Sequence, residues 1–184
     1  RQEVKVKTAF FMLFVLLTGS VWGQSYEEKA AASKALIGKP LQAHSFYTLD
    51  KKPISFESLQ GEPVVAYFFA SWCAPCYKAL NNLDHAIKTT PSSVQVIAIS
   101  LDEDWESLEQ MLIKTGFSGV VWKSGDAKSA LAQRLFANFS GTLPHIIRID
   151  KQGMLIEGGS RIKTIKQWEA VISQRASLSE ASTI

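Results

Sequence analysis

The two cysteines of the chain are its clearest candidates for chemistry. Cys73 and Cys76 are separated by two residues, and the 184-residue sequence has no other cysteine. A scaffold built on disulfides would need more bridges, and a zinc site of four thiolates would need four cysteines. A bridge between residues this close closes a very small ring and adds little to fold stability. We therefore expect the pair to act as a redox device.

The segment WCAPC (residues 72–76) lies between an apolar run of strand length, Val64–Phe69, and a stretch of apolar residues at helical spacing. If the helix begins at Ala74, Cys73 is its N-cap, and the Cys76 amide can donate to the Cys73 sulfur. The helix dipole also favours negative charge there, so both effects stabilise a thiolate. We expect Cys73 to be the attacking thiol and Cys76 the shielded resolving thiol.

The remaining pattern alternates strands and helices after an N-terminal hairpin within residues 41–60. Such alternation predicts a parallel core sheet, and the late pair of strands adds an antiparallel edge. The predicted strands are 64–69, 94–100, 117–123, 145–150 and 154–157, and the predicted helices are 74–88, 105–114, 127–138 and 164–176.

Residues 1–23 read as a secretory signal peptide, with basic residues ahead of an unbroken apolar run, Ala9–Leu17. An uncleaved membrane anchor is the alternative, although Thr8 to Trp22 is shorter than the roughly 20 residues that cross a bilayer. Either reading predicts an exported, periplasmic or otherwise extracytoplasmic domain, where thiols tend to be oxidised. The remaining chain divides into a lead-in segment at 24–37, the domain at 38–176 and a flexible tail at 177–184.

The net charge of +3, without a basic cluster interleaved with aromatic residues, argues against nucleic-acid binding. We predict no cofactor and no resident metal. The acidic run 102–104 is interpreted as a solvated helix cap. His145 is interpreted as a strand residue with a satisfied hydrogen bond, but it could join Cys73 and Cys76 as a copper ligand.

Together, the WCAPC segment and the later segment GTLPHIIRID (residues 141–150) resemble the thioredoxin superfamily, and most of all the exported TlpA/ResA/CcmG group. The resemblance implies an α/β thioredoxin-like fold, a central mixed sheet flanked by helices with an added N-terminal β-hairpin. It implies that Pro144 is cis and faces the cysteine pair. It also implies that the backbone at Leu143, beside Thr142, pairs with an extended substrate segment.

The flanking residues Trp72, Ala74 and Pro75 are expected to shape and support the site. The chain departs from the families that it resembles at two positions close in sequence to the cysteines. Tyr67 stands where thioredoxins carry a buried Asp, and Ala79 stands where many TlpA/ResA-type proteins carry a Glu. The carboxylates usually proposed to manage the proton of the resolving thiol are therefore missing.

These observations predict an exported thiol–disulfide oxidoreductase that works as a monomer. The resemblance favours reduction of disulfides in exported proteins such as apocytochrome c, with a membrane electron-transfer partner. A disulfide oxidase or isomerase remains an alternative, because the sequence does not fix a reduction potential. A copper-binding or copper-delivery protein that uses Cys73, Cys76 and His145 is an alternative of another class.

Overall fold

Seven strands of the described residues form one central sheet. The computed structural model describes residues 25–92, 94–126, 134–159 and 162–173. The strands are Phe46–Thr48 (β1), Pro53–Ile54 (β2), Val64–Phe69 (β3), Gln95–Ser100 (β4), Val120–Ser124 (β5), His145–Ile149 (β6) and Leu155–Gly158 (β7). Their order across the sheet is β2-β1-β5-β4-β3-β6-β7.

Four α-helices belong to the described residues, and three of them contribute to the core that contains the disulfide. Their bounds are Tyr26–Lys34 (α1), Ala74–Thr89 (α2), Trp105–Thr115 (α3) and Ile165–Ser173 (α4), with a short 3-10 helix at Phe56–Leu59. Among the described residues, no helix is both long and apolar enough to cross a membrane.

The sheet is mixed, as the alternating pattern predicts. Strands β3, β4 and β5 are parallel, whereas β6 is antiparallel to β3 and β7 is antiparallel to β6. The hairpin β1-β2 adds to the far edge through antiparallel pairing of β1 with β5. All six residues of β3 are buried, because side chains cover both faces of the sheet at its centre.

Two apolar clusters lie on opposite faces of the sheet. The first core contains both cysteines and fills the space between the sheet and helices α2, α3 and α4. The second core lies on the other face, beneath the 3-10 helix and the segment that follows α1. Alternation along β3 divides its residues between the faces, so that Val65, Tyr67 and Phe69 join the first core and Val64, Ala66 and Phe68 join the second.

Most predicted boundaries agree with the structure within two residues, and β5 is the main exception. It begins at Val120 rather than at Phe117. Residues ahead of it form a turn in which the N–H and Oγ of Ser118 both donate to Asp84 at 2.9 Å. The helix predicted at 127–138 lies largely outside the described residues, as do the predicted signal peptide at 1–23 and the predicted tail at 177–184.

Candidate active site

Cys73 and Cys76 form a disulfide at the junction of β3 and α2. The S–S distance is 2.07 Å, and the two Cα atoms are 5.3 Å apart. Cys73 is the N-cap residue of α2, and Pro75 lies in the first turn, as the sequence predicts. Only 5% of the Cys73 surface is exposed, and Cys76 is fully buried. A partner sulfur can therefore approach Cys73 but not Cys76.

One predicted hydrogen bond is wrong for this oxidised form. The Cys76 N–H donates to the Cys73 carbonyl oxygen at 2.9 Å, and the Cys73 sulfur accepts no cap hydrogen bond. The sulfur is bonded to Cys76 instead, and the first turn closes through the backbone. The positive end of the helix dipole still faces Cys73, so it stabilises a thiolate once the pair is reduced.

The flanking residues present an accessible surface beside the disulfide. Trp72 exposes 66% of its surface, and Ala74 and Pro75 are also exposed. The indole ring of Trp72 is therefore available to a docking polypeptide. The supporting roles of these three residues stay predictions.

A buried carboxylate anchors the turn that leads to Cys73. Asp102 follows β4 and is only 2% exposed. The Ser71 N–H donates to its two carboxylate oxygens at 2.9 and 3.1 Å, and the Ser71 Oγ–H donates at 2.7 Å. Ser100 Oγ–H donates to the carboxylate at 2.9 Å and accepts the Asp102 N–H at 3.0 Å. The same turn is closed by the Cys73 N–H, which donates to the Ala70 carbonyl at 3.0 Å.

The interpretation of 102–104 as a solvated cap is therefore wrong for Asp102 and correct for Asp104. Asp104 is the N-cap of α3 and accepts the Ser107 N–H at 2.6 Å. Asp102 points instead into the sheet edge beneath the redox turn. Sequence reasoning missed this role, although one signal was present: parallel β3 and β4 end at the same edge of the sheet, which brings residues 70–73 close to residue 102.

The segment before β6 forms the second wall of the site. The Leu143–Pro144 peptide bond is cis, as the resemblance implies. Leu143 and Pro144 are half-buried, and Thr142 is exposed. The buried Asn138 side chain donates through Nδ2 to the Thr142 carbonyl at 3.0 Å, which fixes the loop ahead of the proline. The substrate-binding roles of Thr142 and Leu143 stay predictions.

His145 contacts the opposite face of the sheet from the cysteines. Its ring centroid lies 5.9 Å from that of Phe68, in the second core, and its Nε2–H donates to the Phe136 carbonyl at 2.6 Å. Because a carbonyl oxygen only accepts, Nε2 carries the proton of the neutral ring. Burial lowers the pKa of His145 to about 4. The structure does not bring this imidazole to Cys73 and Cys76, so the copper-ligand alternative is wrong for His145.

No group of three or more His, Cys, Asp or Glu side chains within the described ranges is arranged to hold a metal ion.

The residues at the positions of the two missing carboxylates, Tyr67 and Ala79, supply no group that could accept a proton from the resolving thiol. Tyr67 is fully buried in the first core, and its hydroxyl has no hydrogen-bond partner among the described residues. Burial raises the pKa of Tyr67, so its hydroxyl stays protonated and does not take a proton from the resolving thiol. Ala79 is buried and carries no polar group.

A model of the thioredoxin-like family matches residues 61–155, which is more than half of the chain. The chain belongs to the thioredoxin-like family. The thiol-disulfide oxidoreductase ResA of Bacillus thuringiensis is 25% identical over 166 residues, which cover 89% of this chain and 92% of ResA. The predicted family, fold and class of enzyme are confirmed: this thioredoxin-like protein is a thiol–disulfide oxidoreductase with Cys73 and Cys76 as its CxxC pair.

Two solved structures show the same fold. A thioredoxin-related protein from Neisseria meningitidis serogroup B has a TM-score of 0.61 at 22% identity, covering 69% of this chain and 95% of the neighbour. A secreted disulfide oxidoreductase of Mycobacterium tuberculosis has a TM-score of 0.53 at 17% identity, covering 70% and 92% respectively.

The unequal burial of the cysteines predicts unequal reactivity. In the reduced protein, iodoacetamide near neutral pH should modify Cys73 first, because Cys76 is enclosed by the first core. Peptide mass spectrometry of the alkylated protein measures this order. The Cys76→Ser variant should accumulate mixed disulfides with partner proteins, and Cys73→Ser should not. Preferential labelling of Cys76 would reverse the assignment.

The Asp102 contacts predict that Asp102→Ala affects both stability and chemistry. The free energy of unfolding should fall by about 1–3 kcal/mol, because the Ser71 N–H loses its acceptor. The pH profile of Cys73 alkylation should also shift in the folded variant, since the turn that sets the sulfur position is released. Asp104→Ala is the matched control, because it removes a helix cap and leaves the redox turn intact. An unchanged alkylation profile in Asp102→Ala would limit Asp102 to a structural role.

The low pKa of His145 predicts a loss of stability in acid. Below about pH 6.5 the unfolded chain binds a proton at this histidine, whereas the folded protein does so only near pH 4. Its contribution is therefore complete above pH 6.5 and is lost as the pH falls towards 4. Between pH 7 and pH 4.5, His145→Gln should lose roughly 2–3 kcal/mol less unfolding free energy than the wild type.

Urea unfolding at the two pH values measures this difference. His85→Gln is the control, because His85 is exposed on α2. Equal losses in the wild type and in His145→Gln would mean that another group causes the acid sensitivity.

Proposed function

We propose that this protein is an exported reductase of disulfides in other exported proteins, with apocytochrome c as the expected type of substrate. The observation that carries the proposal is the placement of the sulfur pair. Cys73, at the N-terminus of α2, keeps 5% of its surface exposed, whereas Cys76 is fully buried in the first core. A pair arranged in this way reacts with an incoming disulfide through one sulfur and completes the exchange through the other.

The proposed thiol–disulfide exchange takes place in two steps. The Cys73 thiolate attacks one sulfur of the substrate disulfide, which forms a mixed disulfide and releases the other substrate sulfur as a thiolate. The Cys76 thiol loses its proton to solvent or to the departing thiolate, and its sulfur then attacks Cys73. The second substrate thiolate leaves, and the Cys73–Cys76 disulfide forms. Two electrons pass to the substrate, and a dithiol protein must supply two electrons to restore the reduced pair.

Reduction is favoured over oxidation because the surroundings of the pair are apolar. A strongly oxidising pair needs a well-stabilised reduced form. Here the first core surrounds both cysteines, the His145 ring lies on the other face of the sheet, and Tyr67 and Ala79 supply no charge. Among the buried surroundings of the pair, the helix N-terminus is the element that stabilises the thiolate, because the two lysines of the neighbouring groove, Lys78 and Lys163, are exposed to solvent. We therefore infer that the dithiol is a good electron donor. An oxidase or isomerase remains the second candidate.

The cellular setting is part of the proposal. The apolar segment within residues 1–23 supports export, and a secreted relative in fold is consistent with it. An extracytoplasmic reductase needs electrons from the cytoplasmic side, so a membrane dithiol protein is the proposed electron donor. The protein is proposed to act as a monomer, since exchange requires only the one cysteine pair.

The reduction potential tests the direction of the proposal. The purified protein is equilibrated in glutathione buffers of known potential, and the reduced fraction is read from alkylated masses. We expect a potential near or below about −270 mV, the value typical of thioredoxin. The Cys73→Ser variant gives the background of alkylation. A value close to about −120 mV, which is typical of a strong periplasmic oxidant, would overturn the reductase assignment.

A further inference from the structure

A groove of about 320 Å³ lies next to the disulfide. One wall is the first part of α2, the second is the cis-proline turn, and the third is the segment ahead of α4. The lining residues are Pro75, Lys78, Ala79, Leu143, Pro144, Ile162 and Lys163. Five of these seven are apolar, so the floor of the groove suits an apolar side chain of a docked polypeptide.

The groove is fixed before any partner binds. The Asn82 Nδ2 on α2 donates to the Lys163 carbonyl at 3.0 Å, which joins two of the walls. The Lys163 N–H donates to Gln167 Oε1 at 2.9 Å, which ties the same residue to α4. Asn138 fixes the second wall, the cis-proline turn, through the Thr142 carbonyl. A preformed groove reduces the entropy that a partner loses on binding.

The charges along the groove have one sign. Both ionisable residues of the lining are lysines, and no Asp or Glu contributes to it. Within the described ranges, neither Lys78 nor Lys163 forms an ion pair with a carboxylate, and both are exposed. Ala79 leaves the floor between them uncharged. An incoming anion therefore meets two ammonium groups that no acidic residue of the groove neutralises.

We propose that this groove selects substrate segments that carry an acidic side chain close to the target cysteine, together with an apolar side chain that fits between Pro75 and Pro144. The inference rests on the proposed function and adds a substrate class to it. Lys78 and Lys163 contact the acidic side chain from the two sides of the groove. The apolar floor receives the neighbouring side chain while Cys73 attacks the substrate sulfur.

The expected selectivity is moderate, because exposed ion pairs are weak individually. The two lysines attract an acidic substrate segment and repel a basic one. The rate constant for the acidic segment should therefore exceed that for the basic segment by about tenfold at low ionic strength. The ratio should shrink in salt, since the Debye length falls to about 3 Å at 1 M.

The experiment compares three peptide disulfides that differ only in the residue after the cysteine, which is Glu, Gln or Lys. Second-order rate constants for their reduction by the reduced protein are measured at low and high salt, and hydroxyethyl disulfide serves as an uncharged small substrate. Lys78→Glu and Lys163→Glu each replace one of the two positive charges of the groove with a negative one, which lowers the net charge of its lining from +2 to 0. Lys39→Glu changes the net charge equally at an exposed residue outside the groove. The Glu-to-Lys peptide rate ratio is the readout, because it cancels any change in the intrinsic reactivity of Cys73.

The proposal predicts that the wild type and Lys39→Glu prefer the Glu peptide about tenfold, and that each groove variant loses or inverts the preference. No preference in the wild type would overturn the proposal, as would an equal loss in Lys39→Glu, which would indicate the overall charge rather than the groove. Failure of the proposed function would look different: neither the peptides nor hydroxyethyl disulfide would be reduced.

Discussion

The turn between β3 and α2 must leave the Cys73 sulfur accessible to a partner while its backbone lies against the buried edge of the sheet. The strand has ended and the helix has not begun, so the N–H of Ser71 lacks a partner from either element. Asp102 supplies that partner from the end of the neighbouring strand and accepts the Ser71 hydroxyl as well. An unpaired N–H at this depth would cost stability and would let the turn move. Together with the bond from the Cys73 N–H to the Ala70 carbonyl, this carboxylate holds the turn that carries Cys73, the sulfur through which the exchange begins.

The sheet separates the sulfur pair from the contact between His145 and Phe136. On the face of the first core, α2 carries the sulfur pair and α4 packs against α2. On the face of the second core, His145 and Phe136 join β6 to the loop that precedes it. The cis-proline turn lies where these layers meet, since Leu143 packs against both cores, and Asn138 holds it through the Thr142 carbonyl.

The sequence predicts the elements and the redox pair because those signals are local. The run of apolar residues at β3, the helical spacing after Cys76 and the N-cap position of Cys73 all depend on neighbours along the chain. The role of Asp102 depends on a contact across 31 residues, which periodicity does not report. The side of the sheet taken by His145 follows from strand alternation. Its ring shares a face with Ile147, and Ile146 lies in the first core with the cysteines.

The complete enclosure of Cys76 links folding to oxidation state. Folded and unfolded chains, each oxidised or reduced, form a closed thermodynamic cycle, so the free energies around it sum to zero. Whatever packing favours the buried disulfide over a buried thiol must make the oxidised fold more stable than the reduced fold by the same amount. The difference between the unfolding free energies of the two forms, measured at one temperature, therefore equals the free energy given by the potential of the pair relative to that of the unfolded chain. Changes in the core around Cys76 tune the electron chemistry without touching a substrate.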